Sequence, residues 1–255
     1  MRLMKGMKEK RRKMIFTVIA AVFWLLVWQL VSMAVGKRVI LPGPADVVKA
    51  LCNLAVTADF WRTVLNSFLH IAVGFAAAVV AGIGLAIISH IVVPVGILLN
   101  PVMRLIKAVP VASFIILILL WIRSEDLPAV IVFLMVLPVI YINVLTGIGG
   151  TDAKLLEMAK VFGFSRRAKL KYIYIPAVMP HFASAISIGL GFGWKSGIAA
   201  EVIALSPGAI GRKLYDAKLY LTTDELFAWT VVIVVLSVIS EKAVMMIVNR
   251  IRKVG

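Results

Sequence analysis

The sequence predicts an all-α integral membrane protein with six transmembrane helices and a helical knob on the cytoplasmic side. Three observations carry that expectation. The chain is 62% hydrophobic, with a mean hydropathy of +1.03. Only 16% of its residues are charged, where a soluble domain averages about 25%. The apolar residues also fall in blocks that reach the roughly 20 residues needed to cross a bilayer. Backbone polar groups cannot stay unsatisfied in hydrocarbon, so spans are helices or a closed barrel. Barrel strands alternate polar and apolar residues. These blocks are apolar all round, so helices follow.

Residues 1–13 hold seven Lys or Arg and read as a basic cytoplasmic tail. Met14–Gly36 carries no charge and forms the first span; it is longer than the roughly 7–15-residue apolar core of a secretory signal. Pro42-Gly43-Pro44 forbids a continuing helix. Pro44 then opens a short amphipathic helix at the outer surface, with Val47, Val48 and Leu51 on its apolar face. Thr63 to Met103 contains no Lys, Arg, Asp or Glu, which is too long for one span. It divides at Ser89-His90 and Pro94 into a second helix over 63–89, a bend over 90–104 and a third helix to Ile122. Arg104 and Lys107 mark the cytoplasmic start of that third helix, and Pro101 and Pro110 kink it. Residues 123–126 form a polar outer turn. The fourth helix covers 127–148, with a kink at Pro138. After the polar segment 149–176 come a fifth helix over 177–205, an outer loop over 206–225 and a sixth helix over 226–248. One six-span domain over 14–248 is thus flanked by tails at 1–13 and 249–255.

Charge sets the orientation. The two tails and segment 149–176 hold seven, three and six Lys or Arg; the outer segments 37–62, 123–126 and 206–225 hold four, one and three. Basic loops stay in the cytoplasm, so both termini are placed there, in a multi-pass cell-membrane protein. The net charge of +16 therefore reads as topology rather than as a nucleic-acid footprint. The single cysteine, Cys52, excludes an intrachain disulfide and any cysteine metal site. His70, His90 and His181 are far apart and lack ligand spacing, so they read as structural; no metal is expected. No GxxxxGK[ST] loop occurs, so nucleotide hydrolysis by that route is excluded, and no cofactor is expected.

The informative segment starts at Thr151. Asp152 suits a helix N-cap. Leu155, Met158, Ala159 and Phe162 then share one face. Gly163 sits where a left-handed C-cap belongs, and Ser165 caps a second helix with Ala168, Tyr172 and Ile175 along one side. An exposed apolar stripe on such a knob fits either a groove on a partner protein or lipid headgroups.

Glu157-x-Ala159-x-x-x-Gly163, followed at fixed spacing by Ile173 and Pro176, resembles the cytoplasmic coupling signature of ABC importer permeases. That signature reads EAA, three residues, G, nine residues, I-x-L-P. Met158 stands for its second letter and Ile175 for its leucine, both apolar for apolar. Leu41-Pro42-Gly43-Pro44-Ala45-Asp46-Val47, Gly191–Lys195 and Ala199-Ala200-Glu201 are similar to elements of the nitrate/sulfonate/taurine-type subfamily. The resemblance implies a permease homodimer, separate ATP-binding-cassette ATPase subunits, an external solute-binding protein and a small anionic solute. It implies coupling to the ATPase through Glu157, Met158, Ala159, Gly163, Ile173 and Pro176.

In the fifth helix, Ala185, Gly189, Gly193 and Gly197 recur every four residues and form a ridge for close helix packing, within the subunit or at a dimer seam. Lys195 lies on the other side. A cation inside a span needs an anion, a carboxylate or water. Lys195 therefore faces the solute pathway, pairs with a carboxylate, or snorkels to an interface. Glu201 joins it as a candidate pathway residue. The rival class is a self-contained secondary transporter or channel, which needs ion-coupling carboxylates at mid-membrane; Glu201 alone meets that need here.

Overall fold

The computed structural model describes the backbone of residues 2–254 and the side chains of residue 12 and residues 15–250. The first helix, α1, runs Arg2–Val35. The segment read as a tail is thus helical backbone continuous with the first span. Lys, Arg, Glu, Leu and Met are good helix formers, no proline occurs before Pro42, and Gly6 alone of residues 1–13 is a poor helix former. Apart from Arg12, the basic side chains of 1–13 lie outside the described ones, as do those of 251–255. At the other end α11 spans Thr223–Val254, so the sixth helix too runs through the segment read as a tail.

Between them, α2 (Pro44–Ala55) is the short amphipathic helix, opened by Pro44 and burying Val47 and Ala50. Its packing joins the N-terminal half of α11, where Ala228 is fully buried. The centre of the bundle is α6 (Leu127–Gly149), enclosed by α3 (Ala58–Ile91) and α9 (Ile175–Ala204). Small residues let these backbones touch. A Cβ added at Gly74 would lie 2.2 Å from the Ala129 carbonyl oxygen, and one at Gly82 would lie 2.8 Å from Ile140. On the other flank a Cβ at Gly197 would lie 2.8 Å from Ile71 and 2.9 Å from Val132. Without a hydrophobic drive between helices in lipid, such close contact is what holds spans together.

These pairings also fix directions. Gly74 meets Ala129 and Gly82 meets Ile140, so α3 and α6 run parallel. Gly147 meets Val178 while Gly193 meets Val132, so α9 runs antiparallel to α6. The chain between α3 and α6 must therefore recross the full thickness of the bundle. It does so as a broken span: α4 (Val93–Ala108) and α5 (Val111–Ile118), bent by 103°. Five other helices of the described residues are long and apolar enough to cross, which makes six crossings.

The broken span corrects the sequence expectation. The segment 90–104 is not a bend but most of a helix, and the breaks fall at Val92 and at 109–110, where Pro110 removes a helix donor. The Tyr141 hydroxyl reaches Asn100 Oδ1 at 3.3 Å and Ser89 Oγ at 3.1 Å, so Asn100 lies beside the last turns of α3, while Ile115 packs with Leu127 and Ile131.

The loop 206–225 contains a further helix, α10 (Ile210–Leu219), which the sequence reading left as loop. Ile210, Leu214 and Ala217 fall at i, i+4 and i+7, a signal that was there to find. With α2, it caps the end of the bundle formed by the start of α6 and the end of α9, here called the far end. The opposite, knob end carries α7 (Ala153–Val161), α8 (Arg166–Lys169) and a π-helical turn over Leu170–Tyr174 leading into α9.

Candidate functional site

The knob is built by local rules. Asp152 Oδ1 accepts a hydrogen bond from the Lys154 amide at 2.9 Å and starts α7. At its end the Phe164 amide donates to Ala159 O at 2.8 Å and the Gly163 amide donates to Lys160 O at 3.2 Å. With Gly163 at φ +67, this is the paired-bond C-cap that needs a left-handed residue. Ser165 Oγ then accepts from the Ala168 amide at 3.2 Å and starts α8.

Leu155, Met158 and Phe162 share a face and are exposed within this chain, Phe162 by 72%. Only Ala159 of that stripe is buried. In the second half Ile173 is buried, whereas Tyr172 and Ile175 are exposed. Of the motif positions, Glu157, Met158, Gly163 and Pro176 are therefore outward, and Ala159 and Ile173 inward. Behind the knob an apolar cavity of about 410 Å³ opens among Ile87 and His90 of α3, Ile148 of α6, and Leu170 and Tyr174 of the π turn.

Glu201 is fully buried at the far end of α9. Its Oε2 accepts from Ser67 Oγ at 3.0 Å and from the Gly211 amide at 2.9 Å. The same Ser67 oxygen accepts from the Ile210 amide at 2.8 Å. One carboxylate and one hydroxyl thus fasten the first turn of α10 to α3 and α9. The backbones meet so closely that a Cβ at Gly211 would lie 2.3 Å from Glu201 Cβ. Outside this knot Lys213 Nζ pairs with Asp59 at 2.7 Å, again joining α10 to α3. The sequence reading missed Ser67 and Gly211, which lie 134 and 10 residues from Glu201.

Lys195 is exposed, on a stripe of α9 with Ser184, Ile188 and Phe192. It makes no ion pair or hydrogen bond with any described residue. Glu201 is engaged elsewhere, so the two candidate pathway residues do not meet. The ridge behind Lys195 packs inside the subunit: Gly189 and Gly193 face Val136 and Val132 of α6, and Gly197 faces Ile71 and Val132. A second carboxylate, Glu241 of α11, receives the Ser187 hydroxyl at 2.5 Å. Among the described residues no group of acidic, histidine and cysteine side chains could hold a metal ion.

Residues 78–253 match the family described as binding-protein-dependent transport system inner membrane component. The chain is 26% identical over 227 residues to the taurine transport system permease protein of Escherichia coli (strain K12), covering 87% of this chain and 82% of that one. It is 25% identical over 215 residues to the nitrate import permease protein of Synechocystis sp. (strain ATCC 27184 / PCC 6803 / Kazusa), covering 80% and 77%. Among solved structures, a chain of a bacterial ABC transporter involved in the import of the acidic polysaccharide alginate superposes with a TM-score of 0.58. It is 18% identical and covers 99% of both chains. At that identity the likeness speaks for the fold alone.

Proposed function

We propose a working cycle from a fixed premise: the chain belongs to the binding-protein-dependent transport system inner membrane component family and is a permease subunit of an ABC importer. In this reading the spans form the pathway for a small anionic solute of the nitrate or sulfonate kind, the chemistry carried by the named relatives' cargo. Separate ATPase subunits dock on the knob from the cytoplasm, where both termini also lie. An external solute-binding protein meets the far end, and two copies of the permease pair across the pathway.

The observation that carries the coupling role is the exposed apolar stripe Leu155, Met158 and Phe162 beside Glu157. No other described part of the chain covers it, and its rigid caps suit it to insertion into a partner's groove. The knob hangs from two spans at once, following α6 directly and entering α9 through the π turn. ATP-driven closure of the partner would push both, and the cavity behind the knob leaves it room to move. Lys195, unpaired on the open stripe of α9, is the pathway cation in this scheme, and Glu201 supports it from the far end as an anchor.

The test is at Gly163. A β-branched residue at φ +67 is disfavoured by roughly 1–2 kcal/mol. With nothing within 4 Å of its Cβ, Gly163→Val strains the turn without a clash. Co-purification with the ATPase, or solute-stimulated ATP hydrolysis, should fall while the spans still insert. Unchanged assembly and unchanged uptake would remove the coupling role.

A further inference from the structure

We propose that the apolar cavity behind the knob binds one anionic phospholipid, with an acyl chain in the cavity and the headgroup phosphate on Arg166, Arg167 and Lys171. This site goes beyond the coupling reading and takes from it only the leaflet, the cytoplasmic one.

The cavity of about 410 Å³ runs along α3 from Ile83 to Ile91, and along the π turn and α9 from Leu170 to Phe182. At about 1.5 Å per residue those walls are about 12 Å and about 18 Å long. Val144 and Ile148 of α6 form the third wall. The long axis therefore lies along the spans, from the knob end toward the bilayer interior, as the chains of the surrounding lipid do. Except for His90 and Tyr174, every lining side chain is hydrocarbon or thioether. A water in a cavity needs about 2–4 polar partners, and these walls do not supply them along their length. A hydrocarbon chain needs none.

The two polar side chains stand toward the knob end. His90 lies in the last turn of α3 and Tyr174 closes the π turn, with ring centroids 6.4 Å apart in an edge contact. His90 is exposed and Tyr174 half-buried. Neither makes a hydrogen bond with a described residue. A phenol hydroxyl and a ring N–H are donors, placed where a lipid seated in the cavity carries its ester carbonyls. Aromatic residues with one polar edge belong at this level of a bilayer.

Beyond that mouth the charge is positive. The Leu170 amide donates to Arg166 O, and the Ile175 amide donates to Leu170 O across the π turn. Arg166, Leu170 and Ile175 therefore stack along one side of the helix, and the last two line the cavity. Arg166 stands one turn past the lining, on the same side. Arg167 and Lys171 are exposed like it, and Lys171 Nζ lies 5.3 Å from the centre of the Tyr172 ring. None of the three makes an ion pair or hydrogen bond with a described residue. Uncompensated cations at the end of an apolar slot between spans complement a phosphate headgroup; an uncharged lipid would leave them unmatched. A fluid chain also suits a part that moves, because it shifts with the knob and no void opens behind it.

The experiment uses two lipids of identical chains. The permease purified with its ATPase in mild detergent is stripped of lipid and mixed with equal amounts of dioleoyl phosphatidylglycerol and dioleoyl phosphatidylcholine. Native mass spectrometry then counts what is retained. One phospholipid should stay per permease copy, with phosphatidylglycerol favoured about tenfold. Arg166→Gln, Arg167→Gln and Lys171→Gln together should keep one lipid and bring the preference close to parity. Ile87→Trp, which fills the cavity, should lower retention of both lipids roughly tenfold. Ile91→Trp narrows the mouth from an exposed position and should do the same, so the test holds even where Ile87→Trp does not fold. Glycerol 3-phosphate, a phosphate without chains, should not displace the lipid. Displacement would make this a free-phosphate site and overturn the proposal. So would the absence of retained lipid, retention untouched by either tryptophan, or a preference that outlasts the three glutamines. A tryptophan variant that changes the number of permease copies instead would put a second copy of the chain in the cavity, with the same consequence. Retention as expected with no ATPase accompanying the chain leaves the lipid site standing and removes the coupling reading, so the two can be told apart.

Discussion

Replacing Glu201 by alanine should undock α10 without unfolding the bundle. The carboxylate holds the Gly211 amide at 2.9 Å and the Ser67 hydroxyl at 3.0 Å. Hydrogen bonds to a charged group contribute about 1.5–3 kcal/mol each, and a buried donor left without a partner costs about 1–3 kcal/mol. Part of that benefit is already offset, because Glu201 Oε1 is buried with no partner among the described residues. Ser67 also keeps its bond from the Ile210 amide at 2.8 Å. The expected net loss is about 2–4 kcal/mol, including the space vacated by the side chain. At roughly 1.4 kcal/mol per factor of ten, opening of α10 should rise about 30- to 700-fold. Hydrogen–deuterium exchange at the amides of 210–213, in nanodiscs, reads this directly. The middle of α9 should exchange as before, since its contacts with α6 are untouched. Glu201→Gln keeps one acceptor oxygen and should fall between alanine and the native residue. Unchanged exchange at Gly211 in the alanine variant would refute the anchoring role.

Three further expectations follow from particular contacts. Gly211→Ala brings a Cβ to 2.3 Å from Glu201 Cβ and 2.6 Å from the Val202 amide nitrogen; backbone must shift, so it should lower the melting temperature and raise exchange in α10 as Glu201→Ala does. Lys195→Met should leave expression and dimerisation intact and cut uptake sharply, with Lys195→Arg keeping part of it because the charge persists; unaltered uptake by the methionine variant would remove Lys195 from the pathway. For orientation, a cysteine at Ser165 in a Cys52→Ser background should label only with reagents that reach the cytoplasm, and one at Asp216 only from outside; the reverse pattern would invert the topology.

The spans were legible because composition alone decides them: a long apolar block has no other stable home. The knob's caps were legible for a similar reason, since Asp152, Gly163 and Ser165 act on backbone within a few residues of themselves. What could not be read depends on partners distant in sequence. Glu201 looked like a lone mid-membrane carboxylate until Ser67, from another helix, and Gly211 closed on it. The π turn over Leu170–Tyr174 was not legible either, because it departs from the 3.6-residue period on which a helical reading depends.

The same contacts divide the molecule into parts that can and cannot move separately. α3, α6 and α9 touch through Gly74, Gly82, Gly189 and Gly197, where any Cβ would meet a neighbour within 3.2 Å. Sliding these helices past one another would open voids that lipid tails cannot fill, so they shift as one slab. α10 is fastened to that slab by Glu201, Ser67 and the Lys213–Asp59 pair. The α4–α5 arm is different: α4 buries only Gly96 and Met103, and α5 buries only Ile115. Under the proposed coupling, a push on the knob enters α6 and α9 together and carries Lys195 with them. The α4–α5 arm, held by fewer buried residues, stays behind.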